Sequence, residues 1–179
     1  GIRGTIGGKP GDSLTPIDVV KFASAYGTWL RRRGKGPLKV VTGRDARVSG
    51  EIVTSLVSSS LRSVGIDVID TGLATTPTVE MAVTGLGAGG GIIMTASHNP
   101  AQWNALKLLN EAGEFLSDAD GREVLALAAA EDFDYVTYDM LGKETADNSW
   151  TERHIEAVIA MPLVDAGAIR NAGFAIAVD

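Results

Sequence analysis

GGIIMTASHNPAQWNALK, residues 90–107, runs from a short apolar segment into a serine, a histidine, an asparagine and a proline, and ends on a lysine. The segment Gly91–Met94 is continuously apolar rather than alternating, the pattern of a strand buried on both faces of a parallel sheet. Ser97 follows at the carboxyl end of that strand. In open α/β sheets ligands bind in the crevice beyond those ends. The stretch therefore predicts an α/β domain with Ser97 at its working edge.

The flanking sequence has the matching rhythm. Thr15-Pro16-Ile17-Asp18 supplies a hydroxyl cap, a proline in the first turn and an acid three residues after the cap, so a helix should start there. It should run to Arg33, with three arginines on its carbonyl-rich end and Gly34 as the stop. Residues 37–43 read as a buried strand. Ser49 should cap a helix reaching about Val64, and 66–72 should be the next strand. Thr76-Pro77 opens a third helix to about Thr84, and Gly91–Ser97 closes the series as a third strand. Strands and helices alternating at this spacing imply βαβ units and a mostly parallel sheet.

Beyond it, 105–110 and 113–116 suggest a hairpin at one edge, and Ser117-Asp118 a cap for a helix over Gly121–Ala130. Residues 132–147 read as an irregular connector. Helices at about 149–160 and 163–171 should lead to a strand at 174–178. The fold expected is a three-layer α/β domain over 1–145, a mostly parallel mixed sheet flanked by helices. Residues 146–179 would be connector helices and the first strand of a second, similar domain. The apolar alternation of the closing GFAIAVD and the absence of an initiator methionine suggest a piece of a longer protein.

Composition narrows the function. Of 179 residues 45% are hydrophobic, enough for a packed core. The net charge of −6 is spread without a basic block, which argues against nucleic acid as a partner. No apolar stretch reaches the roughly 18 residues of a membrane helix, so no membrane partner is expected. The chain has no cysteine, which removes thiolate metal sites and fits a cytoplasmic protein.

Each candidate site has a competing structural reading. A serine hydrolase would want Gly-x-Ser-x-Gly, whereas Ser97 is flanked by Ala96 and His98. Adjacent side chains diverge in extended backbone, which makes His98 a poor base for Ser97. His154, in an acidic helix, reads as a solvated residue. GLGAGG at 85–90 matches Gly-x-Gly-x-x-Gly, but it follows a helix and opens a strand, the reverse of a dinucleotide site. Arg44, Asp45 and Arg47 read first as an internal ion pair in the turn before Ser49. Arg3 lies between glycines, where backbone can approach an anion. Lys107 is a lone cation in an apolar strand, which favours a specific task.

Taken together, GIRG at 1–4, GRDARVSG at 43–50, TTPTVEMAV at 75–83 and GGIIMTASHNPAQWNALK at 90–107 resemble the α-D-phosphohexomutase family. The resemblance covers the first of that family's four domains and the opening of the second. It implies that Ser97 carries a phosphoryl group, gives it to a hexose monophosphate and recovers one from the other end of a hexose bisphosphate. Lys107 would be the general acid/base, Arg3 an anion clamp, and His98 and Asn99 would position the serine loop. Mg²⁺ would bind the phosphate on Ser97, with its remaining ligands in an Asp-x-Asp-x-Asp loop of the second domain. The chain has no such triplet; SDADG at 117–121 comes nearest and reads as a helix cap. Domains II–IV of the same polypeptide are then required partners, and the 179-residue chain alone should not turn over. Ala105 departs from the family's Asn-Gly-x-Lys, which puts the local turn in question. WNALKLLN favours phosphoglucosamine mutase over phosphomannomutase or phosphoglucomutase. A serine hydrolase and a non-catalytic sugar-phosphate-binding domain are the readings from other classes.

Overall fold

A Cβ on Gly90 would stand 2.1 Å from the Tyr26 hydroxyl, and one on Gly91 2.8 Å from Val83. These bare positions open the central strand of a computed structural model that describes residues 2–34 and 38–178. Its strands are β1 (Ile2–Thr5), β2 (Lys39–Arg44), β3 (Asp67–Leu73), β4 (Gly90–Met94), β5 (Trp103–Leu109) and β6 (Glu144–Ala146). Its α-helices are α1 (Pro16–Arg33), α2 (Gly50–Ser63), α3 (Thr76–Gly85), α4 (Asp118–Ala130), α5 (Trp150–Ile159) and α6 (Ala166–Asn171).

The strands form one sheet in the order β1-β5-β4-β2-β3-β6. β2 runs parallel to both β3 and β4, and β3 parallel to β6; β5 lies antiparallel to β4 and to β1. Apolar positions alternate between the two faces. Val40, Val68, Ile92, Met94 and Leu106 pack with α1, α2 and α4, and Val41, Ile93 and Leu109 with α3 and Trp150 of α5. Helices thus cover both faces of a mostly parallel mixed sheet, the three-layer α/β arrangement expected. Burying one side chain such as Leu61 or Ile92 contributes about 1.5–3 kcal/mol.

Local signals set the helix ends. Thr15 and Asp18 close a capping box at the start of α1, and Gly34 ends the helix at φ 58° in the left-handed region. Arg32 in its last turn reaches Asp132 and Asp134, both at 2.7 Å, and ties the connector back to the helix. Thr75 caps α3 and Ser117 caps α4 through their side chains. The cluster at 85–90 is a turn: Gly85 ends α3 where a Cβ would meet Trp150 at 2.4 Å, and Gly87 takes φ 56°.

Several expectations are corrected. Ser49 precedes α2 without capping it; its hydroxyl accepts a 2.9 Å bond from Asn104 instead. The strand expected from 37 starts at Lys39, and Pro37 lies outside the described residues. Asn110 folds the chain into a turn by accepting from the Ala112 and Glu114 amides, and 114–116 returns antiparallel to the end of β5. The hairpin is minimal: it is limited to the Leu109–Phe115 bridge and the Asn110–Glu114 and Leu116–Leu108 backbone bonds, and 113–116 forms no full strand. β5 is not an edge strand, because β1 pairs with it on the side away from β4. The edges are β1 and β6, two short strands in segments read as an anion loop and a connector; pairing rather than apolar pattern makes them strands. β6 and Trp150 pack with this body. Residues 174–178 form no strand and are exposed, as the apolar alternation leads one to expect where no neighbouring strand offers them hydrogen bonds. His154 is half-buried and bonds Thr78 at 2.9 Å, fastening α5 to α3.

Two stability predictions follow from this packing. Gly90→Ala pushes a methyl against the Tyr26 hydroxyl, which is fully buried and donates to the Leu109 carbonyl at 2.6 Å. It should lower stability by about 1–3 kcal/mol in urea unfolding; unchanged stability would show that the sheet yields without strain. The second concerns acid. Burial of Asp18 opposes its ionisation, but bonds from the Thr15 hydroxyl, the Thr15 amide and the Gly11 amide outweigh it and hold its pKa below the ordinary value. Bonds from Arg32 depress Asp132 and Asp134 likewise. These groups bind protons less readily folded than unfolded, so their stabilisation is present above about pH 4 and is lost as pH falls through the depressed values. Unfolding measured from neutral pH downward should show this acid loss, with a shallower limb in Asp18→Asn. An identical limb in that variant would remove Asp18 from the cause.

Candidate active site

β4 delivers its chain to the crevice fully buried, and Thr95 and Ala96 continue it buried. Ser97 then emerges exposed, with φ 54°. The left-handed region disfavours a side chain such as serine's, and holding a non-glycine residue there costs about 1–3 kcal/mol. Local bonds fix the turn. The Ser97 amide donates to the Thr95 hydroxyl at 3.0 Å, and the Asn99 backbone and side-chain amides both donate to the Ala96 carbonyl, at 3.1 and 2.8 Å.

The larger support comes from the neighbouring strand. β2 and β4 lie side by side with Arg44 level with Met94, and the Asp45 amide donates to the Met94 carbonyl. Arg47 therefore stands beneath the serine loop. Its guanidinium donates to the carbonyls of Ser97 (2.8 Å), Asn99 (2.7 Å), Pro100 (2.7 Å) and Trp103 (3.0 Å). Its Nε bonds Asp45 at 3.0 Å. The ion pair read from the sequence does form, but the residue's main work is on backbone 50 residues away, where no local pattern could show it. Strand order was the missing signal. Arg44 has a separate partner in Glu51, at 3.6 Å.

Arg3 and Lys107 share a face of the sheet. Arg3 is level with Ala105 across the β1–β5 pair, and Lys107 lies two residues further along β5, so both project to the same side. Ala105 also accepts the Thr95 amide at 3.2 Å, which puts Arg3 and Ala105 level with the strand two residues before Ser97. Lys107, level with Ile93, is half-buried, and its Nζ lies 5.8 Å from the Phe115 ring centroid. Among the described residues neither Arg3 nor Lys107 has an ion-pair partner. Ala105 has no positive φ and sits in a regular strand, so the position does not demand glycine.

A groove of about 680 Å³ touches Arg3 and Lys107 but not Ser97. Its wall mixes apolar side chains such as Phe22 and Val124 with the cations Arg3, Lys107 and Arg122 and the acids Asp12 and Asp118. The serine crevice is accordingly defined by strand ends rather than by an enclosed cavity. His98 is exposed, and its Nδ1 is 3.5 Å from Ser97 Oγ, a marginal contact. No carboxylate bonds His98 among the described residues, so they form no Ser-His-acid relay. Those residues also contain no group of three His, Asp or Glu able to hold a metal ion. Asp120 of the SDADG stretch is committed to Arg33 at 2.6 Å and to the Ser117 cap.

The comparisons with known proteins agree with one another. Residues 1–135 match the family model described as phosphoglucomutase/phosphomannomutase, alpha/beta/alpha domain I. A phosphoglucomutase/phosphomannomutase of Thermococcus kodakarensis is 39% identical over 87% of this chain and 34% of its own length. A phosphoglucosamine/phosphogalactosamine mutase of Sulfurisphaera tokodaii is 35% identical over 80% of this chain and 30% of its own. The fold of a phosphoglucomutase/phosphomannomutase family protein from Burkholderia thailandensis superposes with a TM-score of 0.72 at 23% identity, covering 88% of this chain and 33% of that one. The chain spans about a third of the length of the curated relatives it matches. With a family model matched across most of its length, this chain belongs to the phosphoglucomutase/phosphomannomutase family and carries its α/β/α domain I.

Proposed function

We propose that this chain is the phosphoserine-bearing part of a phosphohexomutase, an isomerase moving phosphate between the 6- and 1-positions of a hexose phosphate. The observation that carries the reading is Ser97 itself: an exposed hydroxyl on a left-handed residue, at the carboxyl end of a central strand. In the forward half, the bond between phosphorus and Ser97 Oγ breaks as a bond to a sugar hydroxyl oxygen forms, giving the bisphosphate. The returning half transfers the phosphoryl group at the other end of the sugar back to Oγ. Such transfer depends on alignment and charge neutralisation more than on a strong base beside the serine. The marginal His98 contact is compatible with that requirement and unfavourable to a hydrolase.

Lys107 takes the sugar hydroxyl proton as the new O–P bond forms and returns it in the reverse step. Arg3, level with Ala105, binds phosphate, and His98 and Asn99 shape the loop. A phosphoryl group on Ser97 adds a charge of about −1.5 to −2. Mg²⁺ would supply further neutralisation there, with the Ser97 phosphate as one ligand. Among the described residues no group of three His, Asp or Glu could hold it alone; in this reading the remaining ligands would come from another part of the full-length protein. Among substrates we favour glucosamine phosphate, supported by the WNALKLLN stretch and by relatives named phosphoglucosamine mutase; mannose or glucose phosphate is the alternative. The cysteine-free composition fits a cytoplasmic setting for this chemistry.

Peptide mass spectrometry of the full-length protein purified from cells should find phosphate on Ser97, and Ser97→Ala should abolish mutase turnover. Phosphate on other serines only, with turnover surviving Ser97→Ala, would refute the assignment. Binding of sugar phosphates without phosphorylation of Ser97 would instead favour a non-catalytic binding domain. Lys107→Met should lower kcat by about 10²–10⁴-fold, the usual range for a proton-transfer group. A raised KM with kcat intact would make Lys107 a binding residue.

A further inference from the structure

Arg47 is fully occupied. A guanidinium has five N–H donors in a rigid planar fork. Here Nε–H goes to Asp45 Oδ2, and the four terminal N–H bonds go to the carbonyls of Ser97, Asn99, Pro100 and Trp103. No donor is left over for a phosphate. The side chain is only 11% exposed, and Asp45 holds it twice, also accepting from the Arg47 backbone amide at 3.1 Å. Three of the acceptors lie in the loop that carries Ser97, one of them the carbonyl of Ser97 itself, and the fourth, Trp103, is the residue that opens β5 directly after it.

We infer that Arg47 is the positioning residue of the Ser97 loop: it sets the direction of the Ser97 hydroxyl and does not bind the substrate. The inference rests on the phosphoryl-transfer reading above. Its physical content is rigidity. A left-handed serine on an exposed loop would relax toward ordinary backbone unless its carbonyls were held, and four carbonyls converging on one cation are held together. The guanidinium, paired with Asp45, touches Ser97 through its carbonyl. In-line transfer tolerates little misalignment; a displacement of about 1 Å can cost about 10²-fold in rate. Lysine cannot replace this arrangement, because three donors on a flexible stem cannot span four carbonyls and a carboxylate.

The test uses the full-length protein, with wild type, Arg47→Lys and Asp45→Asn side by side. Arg47→Lys should lower kcat by about 10²-fold at unchanged KM for the hexose phosphate. Asp45→Asn, which keeps the clamp but loosens its alignment, should lower kcat less, again without moving KM. Amide hydrogen exchange should quicken at Asn99 and Trp103 in Arg47→Lys while Val41 and Leu61 stay protected, which separates a loosened loop from a failure to fold. A raised KM would make Arg47 a substrate-binding residue and overturn the inference, as would unchanged kcat and exchange. Should wild type carry no phosphate on Ser97, the phosphoryl-transfer reading fails by itself. The exchange arm then still decides whether Arg47 holds the loop.

Discussion

β2 and β4 pair in parallel from Val40 and Gly90 to Arg44 and Met94, and this pairing is what the rest of the molecule is built around. It closes because three positions carry no side chain. A Cβ at Gly43 would meet Val79 at 2.5 Å, and those at Gly90 and Gly91 would meet Tyr26 and Val83. α1 and α3 can therefore press directly on the sheet from opposite faces, at the density of a protein interior. One result is a core divided between the two faces of a single sheet. The other is that the carboxyl ends of two neighbouring strands come out level, so the loop holding Arg47 and the loop holding Ser97 meet.

Charge is distributed to match. Most basic side chains with assigned partners secure structure: Arg32 to Asp132 and Asp134, Arg33 to Asp120, Arg62 to Glu144 and Lys21 to Glu131. Pairs this exposed contribute little stability each. Their effect is geometric, since Arg32 and Arg62 hold the segment between α4 and β6 against α1 and α2. Arg47 is spent on backbone. Arg3 and Lys107, on one face of the β1–β5 pair, lack ion-pair partners among the described residues. In a chain of net charge −6 these are two cations on one face of the sheet, the arrangement the proposed binding of an anionic ligand would use.

How much of this was legible beforehand varied with the distance over which each feature is decided. The capping box of Thr15 and Asp18, the stop at Gly34 and the buried run of β4 are each settled within a few residues, and each stands where the sequence put it. Ser97 at a strand's carboxyl end was readable for the same reason. Ser49 was not. It has the residue type of a cap, but Asn104, from a strand 55 residues on, competes for its hydroxyl. β1 and β6 are too short to show a pattern, and they become strands because β5 and β3 offer free edges.

The sequence by itself determined the helices, the buried strands, the α/β class and the serine at the crevice, because backbone preferences and apolar patterning act locally. The tertiary structure alone decided the order of the strands, the place of β5 inside the sheet and the role of Arg47. Those depend on which segments distant in sequence become neighbours. The five hydrogen bonds of one guanidinium, three of them to a loop some 50 residues away and one to the start of β5, exist only once β2 and β4 lie side by side.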